Sequence, residues 1–368
     1  MILLPLISLC ALCHAEDAPG WKFDRELLKP FWLTTKMYGE SVLFVQEKEG
    51  ALGTAPLLFK PLKILSVQSS SGQIVYQEGL DYLVNAGQEL MLPPGSRIPF
   101  RTQPQLRAKP GTQQFHLTHR DGNGEILFGA KHEYQDMQVC VTYSHAPDEW
   151  KGDKPDFAGD RLPKTLAKLR DKKALTIALL GDSISTGCNA SKWADTAPFQ
   201  PAWQDLLVMN LESVYGLKIS LKNFAVGGTD TNWGVANIGK VVDAKPDLVI
   251  LAFGMNDSGG RDAASYGANM KKMADAVQPA EVILVASMLG NADWTYLKMD
   301  RFPQYRDELK KLCKPGVVLA DMTALWSEML VHKRYLDQTG NGVNHPNDFG
   351  HRLYAQVFSA LLINSKEN

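Results

Sequence analysis

From about Ser41 to His145 the hydrophobic positions come in short runs: SVLFVQ, KILSVQ, QIVYQ, DYLV, ELML and QVCVTY. Clusters of Gly, Pro, Asn and Ser such as SSSG, NAGQ and PPGSR separate them. Short alternating runs between turn residues predict an antiparallel all-β unit of sandwich or jelly-roll type, roughly 110 residues long. A polar, proline-bearing stretch, DEWKGDKPDFAGDRLP, follows. Beyond it the pattern changes. ALTIALL, KISLKNFAV, DLVILAFG, EVILVASM and GVVLAD are nearly continuous in Val, Ile, Leu and Ala, as strands are when helices cover both faces of a parallel sheet. Helical stretches fall between them, and the last, Asp348 to Asn364, carries Phe349, Leu353, Val357 and Leu361 at i+4 spacing behind Asp348 as its expected cap. The predicted organisation is a leader over 1–15, a β-sandwich unit over 16–150, a linker over 151–172, and a three-layer αβα unit over 173–368.

Composition narrows the partners. The 368 residues carry 39 basic and 40 acidic side chains, so net charge gives no reason to expect nucleic acid or an anionic membrane surface. Residues 1–15, MILLPLISLCALCHA, are apolar and uncharged and end in small-residue chemistry, which predicts an export signal with the mature chain beginning near Glu16 and a secreted or periplasmic protein. A lipid-bearing Cys10 or Cys13 is the alternative. No later run offers about 18 uninterrupted apolar residues, so no membrane span is expected. Cys140, Cys188 and Cys313 are too few and too scattered for a disulfide framework or a zinc site.

Candidate chemistry gathers at the carboxyl ends of the predicted parallel strands, where open α/β sheets bind ligands. Gly181 permits a sharp turn after the first strand, which leaves Ser183 at the start of the next helix with its hydroxyl exposed and its N–H directed outward. Taken alone, a serine after a strand is most often a helix cap. Here three further blocks follow. NFAVGGTDTNWG places a bare amide at Gly228, FGMND places a side-chain amide at Asn256, and NGVNHPNDFGH places His345 on a loop before the last helix. Serine, two amide donors and an imidazole are the parts of an acyl-transfer site.

Gly181-Asp182-Ser183, Asn223 to Gly228, Gly254 to Asp257, and His345-Pro346-Asn347 with Gly350-His351 resemble, in order, the four blocks of the SGNH (GDSL) hydrolases. The resemblance covers about Leu175 to Leu362. It implies Ser183 as nucleophile, the Ser183 and Gly228 N–H groups with the Asn256 amide as oxyanion hole, and His345 as base, with no cofactor and no metal. The family's usual aspartate, three residues before the histidine, is Gly342 here. Asp337 or Asp321 then completes a triad, or backbone carbonyls near Asn341 and Gly342 hold His345 in a dyad. Asp182 and Asp257 are expected to brace their own loops.

With its preceding β unit, the chain resembles in layout the secreted two-domain carbohydrate esterases. That resemblance implies an acetyl esterase acting on O-acetylated carbohydrate, a small molecule or a polysaccharide. A lipid esterase, an O-acetyltransferase and a non-catalytic carbohydrate-binding protein are the alternatives. Trp193 and Trp233 lie close to the first two blocks as candidate walls of a substrate pocket, although tryptophan is more often core. His116 and His119 could ligate a metal, but two residues are not a site.

Overall fold

The computed structural model describes residues 21–85 and 87–364, so the expected leader lies outside the described residues. Ten strands build the N-terminal half: β1 (Lys36–Gln46), β2 (Thr54–Pro56), β3 (Lys63–Ser69), β4 (Val75–Tyr76), β5 (Leu83–Val84), β6 (Glu89–Met91), β7 (Phe100–Thr102), β8 (Arg107–Ala108), β9 (Glu125–Ile126) and β10 (Gln138–Ser144). Eight of them form one curled sheet, ordered β4-β3-β10-β1-β2-β6-β5 with β7 also on β1; β8 and β9 pair separately. All neighbours are antiparallel except β1 and β7.

Strand β1 belongs to both halves of this sheet. Lys36 to Leu43 pair with β10, and Phe44 to Gln46 pair with β7. The strand is covered on both faces, which explains four successive apolar residues. Val42 and Phe44 enter the large core, while Leu43 and Val45 enter a second cluster with Leu106, Tyr134 and Met137. Burying each such side chain contributes about 1.5–3 kcal/mol.

Helix α1 (Pro163–Arg170) leads into the second half, which contains strands β11 (Leu175–Gly181), β12 (Ile219–Asn223), β13 (Leu248–Ala252), β14 (Glu281–Ala286) and β15 (Val317–Asp321). Between and after them run α2 (Ser183–Thr186), α3 (Ser191–Ala194), α4 (Trp203–Tyr215), α5 (Thr231–Asp243), α6 (Ala263–Ala276), α7 (Arg301–Leu312), α8 (Met322–His332) and α9 (Asp348–Leu362). The five strands form one parallel sheet ordered β12-β11-β13-β14-β15. Successive residues of β11 enter opposite layers: Ile177 and Leu179 meet α4, α8 and α9, whereas Ala178 and Leu180 meet α5, α6 and α7. The result is the three-layer αβα architecture the strand pattern predicts. No helix among the described residues is long and apolar enough to cross a membrane.

Two local readings change. Helix α9 is capped by Asn347, whose Oδ1 accepts from the Gly350 N–H at 3.0 Å. The Asp348 carboxylate instead accepts from the Ser191 N–H of α3 at 2.8 Å. Within the stretch expected to be linker, Ala158 and Leu162 are buried and α1 sets Leu169 into the main core.

The two halves share buried polar contacts. Lys333 is fully buried and pairs with the Glu40 carboxylate, which also accepts from the Tyr143 hydroxyl at 2.6 Å. Arg352 of α9 donates to the Gly39 carbonyl at 2.6 Å, and Asn347 donates to Ser41 and Gln138. Each is a buried donor matched to an acceptor across the junction, and loss of one partner would leave a costly orphan.

Candidate active site

Ser183 owes its position to the two residues before it. A Cβ on Gly181 would approach the Ala252 carbonyl to 2.6 Å and the Ser185 hydroxyl to 2.7 Å, so only glycine lets β11 turn this close to β13. Asp182 then caps α2 by accepting from the Ile184 N–H at 3.0 Å. Burial pushes its carboxyl up to about 7. Ser183 is the first residue of α2, where a backbone N–H has no partner within the helix.

Hydrogen bonds stitch the next two strand ends onto this turn. The Phe224 and Val226 N–H groups donate to Leu179 and Gly181, which lays the double-glycine loop beside Ser183, and a Cβ on Gly227 would lie 3.7 Å from the Ser183 Cβ. Nothing lies within 4 Å of the equivalent point on Gly228, so the loop is open there. Among the described residues the Gly228 N–H donates to no backbone carbonyl. Asn256 gives one amide proton to the Thr229 carbonyl at 2.8 Å, which joins the third block to the second and leaves the other proton to donate elsewhere. Asp257 accepts from the Thr231 hydroxyl at the start of α5 and from the Arg261 guanidinium, each at 2.6 Å, so it ties its loop to a distant helix start and not, as expected, to local backbone N–H groups.

His345 sits on a loop shaped by Asn341, whose side-chain oxygen accepts from the N–H groups of Val343, Asn344 and His345 at 2.9, 2.9 and 3.1 Å. Its Nε2 lies 2.9 Å from the Ser183 Oγ, so residues 162 positions apart meet in a nucleophile–base hydrogen bond. Burial, with His351 nearby, pushes the His345 imidazole down to about 3. The ring is therefore neutral at neutral pH, the form a general base requires.

The partner on the other ring nitrogen differs from every alternative the sequence raised. Asp337 accepts from the Leu43 and Arg334 N–H groups and lies 3.7 Å from Lys333. Asp321 caps α8 through the Ala324 N–H. Backbone carbonyls near Asn341 and Gly342 are not the partner either. His345 Nδ1 lies 2.7 Å from the side-chain oxygen of Asn189, a residue that strand pattern and motif order do not single out. The local signal is faint: an Asn six residues after Ser183, held at φ +63, a conformation asparagine tolerates better than most residues.

Trp193 is half-exposed on α3 with the Lys131 ammonium 4.8 Å from its ring centre, and Trp233 is partly buried against the α5–α6 layer. His116 and His119 do not meet at one point: His116 faces Glu125, while His119 lies between Asp121 and Asp293. A cavity of about 690 Å³ lined by Leu28, Trp32, Phe157 and Ser359 contains none of Ser183, Gly228, Asn256 and His345.

Residues 179–353 match the GDSL-like Lipase/Acylhydrolase family. No curated protein matches the chain. Among solved structures, the chain is similar to a two-domain esterase active on acetylated mannans, co-crystallised with mannopentaose, at 22% identity and a TM-score of 0.44. That likeness covers 55% of this chain and 52% of the other, so the chain spans about half the length of that esterase. It is similar to the acetylxylan esterase Axe2 from Geobacillus stearothermophilus at 20% identity and a TM-score of 0.44, over 52% of this chain and 95% of that one. A lipase/acylhydrolase from Enterococcus faecalis is 21% identical over 50% of this chain and 93% of its own, with a TM-score of 0.42.

Proposed function

We propose that this protein is a serine esterase that removes short acyl groups from carbohydrate through an acyl-enzyme, a reading supported by the match of residues 179–353 to the GDSL-like Lipase/Acylhydrolase family. The observation that carries the reading is the 2.9 Å contact between Ser183 Oγ and His345 Nε2 at the end of a parallel sheet. In the first half-reaction the Ser183 oxygen attacks the ester carbonyl and its proton passes to His345 Nε2. The oxyanion is received by the N–H groups of Ser183 and Gly228 and by the free amide proton of Asn256. His345 returns the proton to the leaving alkoxide as the ester C–O bond breaks. Water, deprotonated by the same nitrogen, then attacks the acyl-serine, and as the acyl C–O bond breaks His345 returns the proton to the Ser183 oxygen and the carboxylic acid leaves. The apolar, uncharged residues 1–15 support action outside the cytoplasm.

The half-exposed ring of Trp193, two residues beyond Ser191 on α3, supports a sugar-bearing substrate, since an indole face can stack on a pyranose. The two esterases named for acetylated mannan and acetylxylan set the choice of test substrates. On p-nitrophenyl esters, kcat/KM is expected to be highest for acetate and to fall with each lengthening of the chain, and acetylated oligosaccharides should release acetate. A maximum at long chains, with no acetate released, would make the protein a lipid esterase.

Asn256 tests the oxyanion hole separately. Asn256→Ala is expected to lower kcat by about 10²-fold or more with a smaller change in KM, because the amide acts on charge that develops in the transition state. An unchanged kcat with a raised KM would place Asn256 in substrate binding.

A further inference from the structure

The neighbours of Asn189 determine which of its two side-chain atoms faces His345. Its Nδ2 lies 2.8 Å from the Lys131 carbonyl and 3.2 Å from the Gly340 carbonyl. Carbonyl oxygens only accept, so both must receive protons, and an amide has two to give. Turning the amide over would set its oxygen against two carbonyls and leave both of these acceptors without its protons. Its oxygen therefore faces His345 Nδ1 at 2.7 Å. An oxygen that can only accept requires a proton on Nδ1, which leaves the Nε2 lone pair directed at the Ser183 hydroxyl.

We propose that Asn189 is the positioning residue for His345, its side-chain oxygen holding the Nδ1 proton and the Lys131 and Gly340 carbonyls ensuring that it presents oxygen and not nitrogen. The inference rests on the Ser183–His345 reading and adds what orients the base. When an aspartate of a triad is changed to asparagine, the amide is free to present nitrogen, the imidazole takes the wrong tautomer, and about 10⁴-fold of kcat is lost. Here the two carbonyls remove that freedom. One of them belongs to the β-rich half, which also supplies Gln135, whose amide donates to the Asn189 backbone carbonyl at 3.1 Å. Asn189 is fully enclosed at this junction, so water cannot substitute for either carbonyl without rearrangement. The N-terminal half thus takes part in setting the protonation of a ring on the C-terminal half.

The test reads the ring directly and the reaction separately. In full-length protein labelled with ¹⁵N-histidine, the His345 ring at neutral pH is expected to carry its proton on Nδ1, and to carry it still in Ser183→Ala, which has no nucleophile. Asn189→Gly keeps the positive φ while removing the amide. It is expected to move the proton wholly or partly to Nε2 and to lower kcat by between about 10²- and 10⁴-fold with little change in KM. A wild-type ring protonated on Nε2 overturns the proposal and needs no variant to fold. So does a folded Asn189→Gly protein that keeps the Nδ1 proton, or one that keeps kcat within about threefold of wild type. If the wild-type protein hydrolyses no ester, the function is wrong, yet the tautomer still decides whether Asn189 sets the ring.

Discussion

Replacing Ser183 by alanine is expected to reduce kcat/KM for ester hydrolysis by about 10⁴-fold or more while leaving the melting temperature within a degree or two of wild type. The hydroxyl makes one structural hydrogen bond, to His345 Nε2, and the turn that carries it is held by other groups. Gly181 and the Asp182 cap remain, as do the bonds from Val226 to Gly181 and from Cys188 to the Ser183 carbonyl. Alanine is also a good first-turn helix residue. Oxyanion donors aligned on bound substrate would still assist attack by water, so a small residual rate is expected. Steady-state kinetics alongside thermal unfolding decides the matter. A folded alanine variant with more than a few per cent of wild-type kcat/KM would remove Ser183 as nucleophile.

Placing an aspartate at position 342, three residues before His345, is expected to damage the protein. Gly342 has φ +82, and a Cβ there would overlap the Tyr134 hydroxyl and stand 2.5 Å from the Leu127 carbonyl. Tyr134 is fully buried, with its hydroxyl donating to that same carbonyl at 2.8 Å, so it has nowhere to retreat. A left-handed non-glycine residue costs about 1–2 kcal/mol and overpacking a further 1–3. Gly342→Asp should therefore lose roughly 2–5 kcal/mol, seen as a melting temperature lower by about 3–7 °C. The Asn291 bond to the Gly342 carbonyl holds the loop that ends in His345, so kcat should fall too. A variant as stable as wild type with raised kcat would show that the loop can open to seat a carboxylate beside the imidazole.

The two variants mark what the strand pattern could and could not reveal. Ser183, Gly228, Asn256 and His345 stood out as candidates because each follows a local feature that sequence carries, namely an apolar strand ending at glycine, a double glycine, an asparagine after a strand and a histidine before a capped helix, and the structure brings Ser183 and His345 within 2.9 Å. The parallel sheet was legible for the same reason, since strands covered on both faces must be apolar at every position. The cap of α9 was legible only to within one residue. Asn347 and Asp348 are both good caps, and the Ser191 N–H supplied by α3 decided between them.

The sequence by itself determined the order of layers, the strand ends at which chemistry collects, and the absence of aspartate at position 342, because these depend on periodicity and on which side chain stands where. Only the tertiary structure decided what replaces that aspartate. Asn189 and His345 are 156 residues apart, and the amide's orientation is set by two backbone carbonyls, one from each half of the chain. Every residue except proline offers the same backbone groups, so no pattern of side chains can announce where a carbonyl will be used. Packing of the halves placed Tyr134 in the space an aspartate at position 342 would need and the Lys131 carbonyl against the asparagine whose oxygen meets the ring.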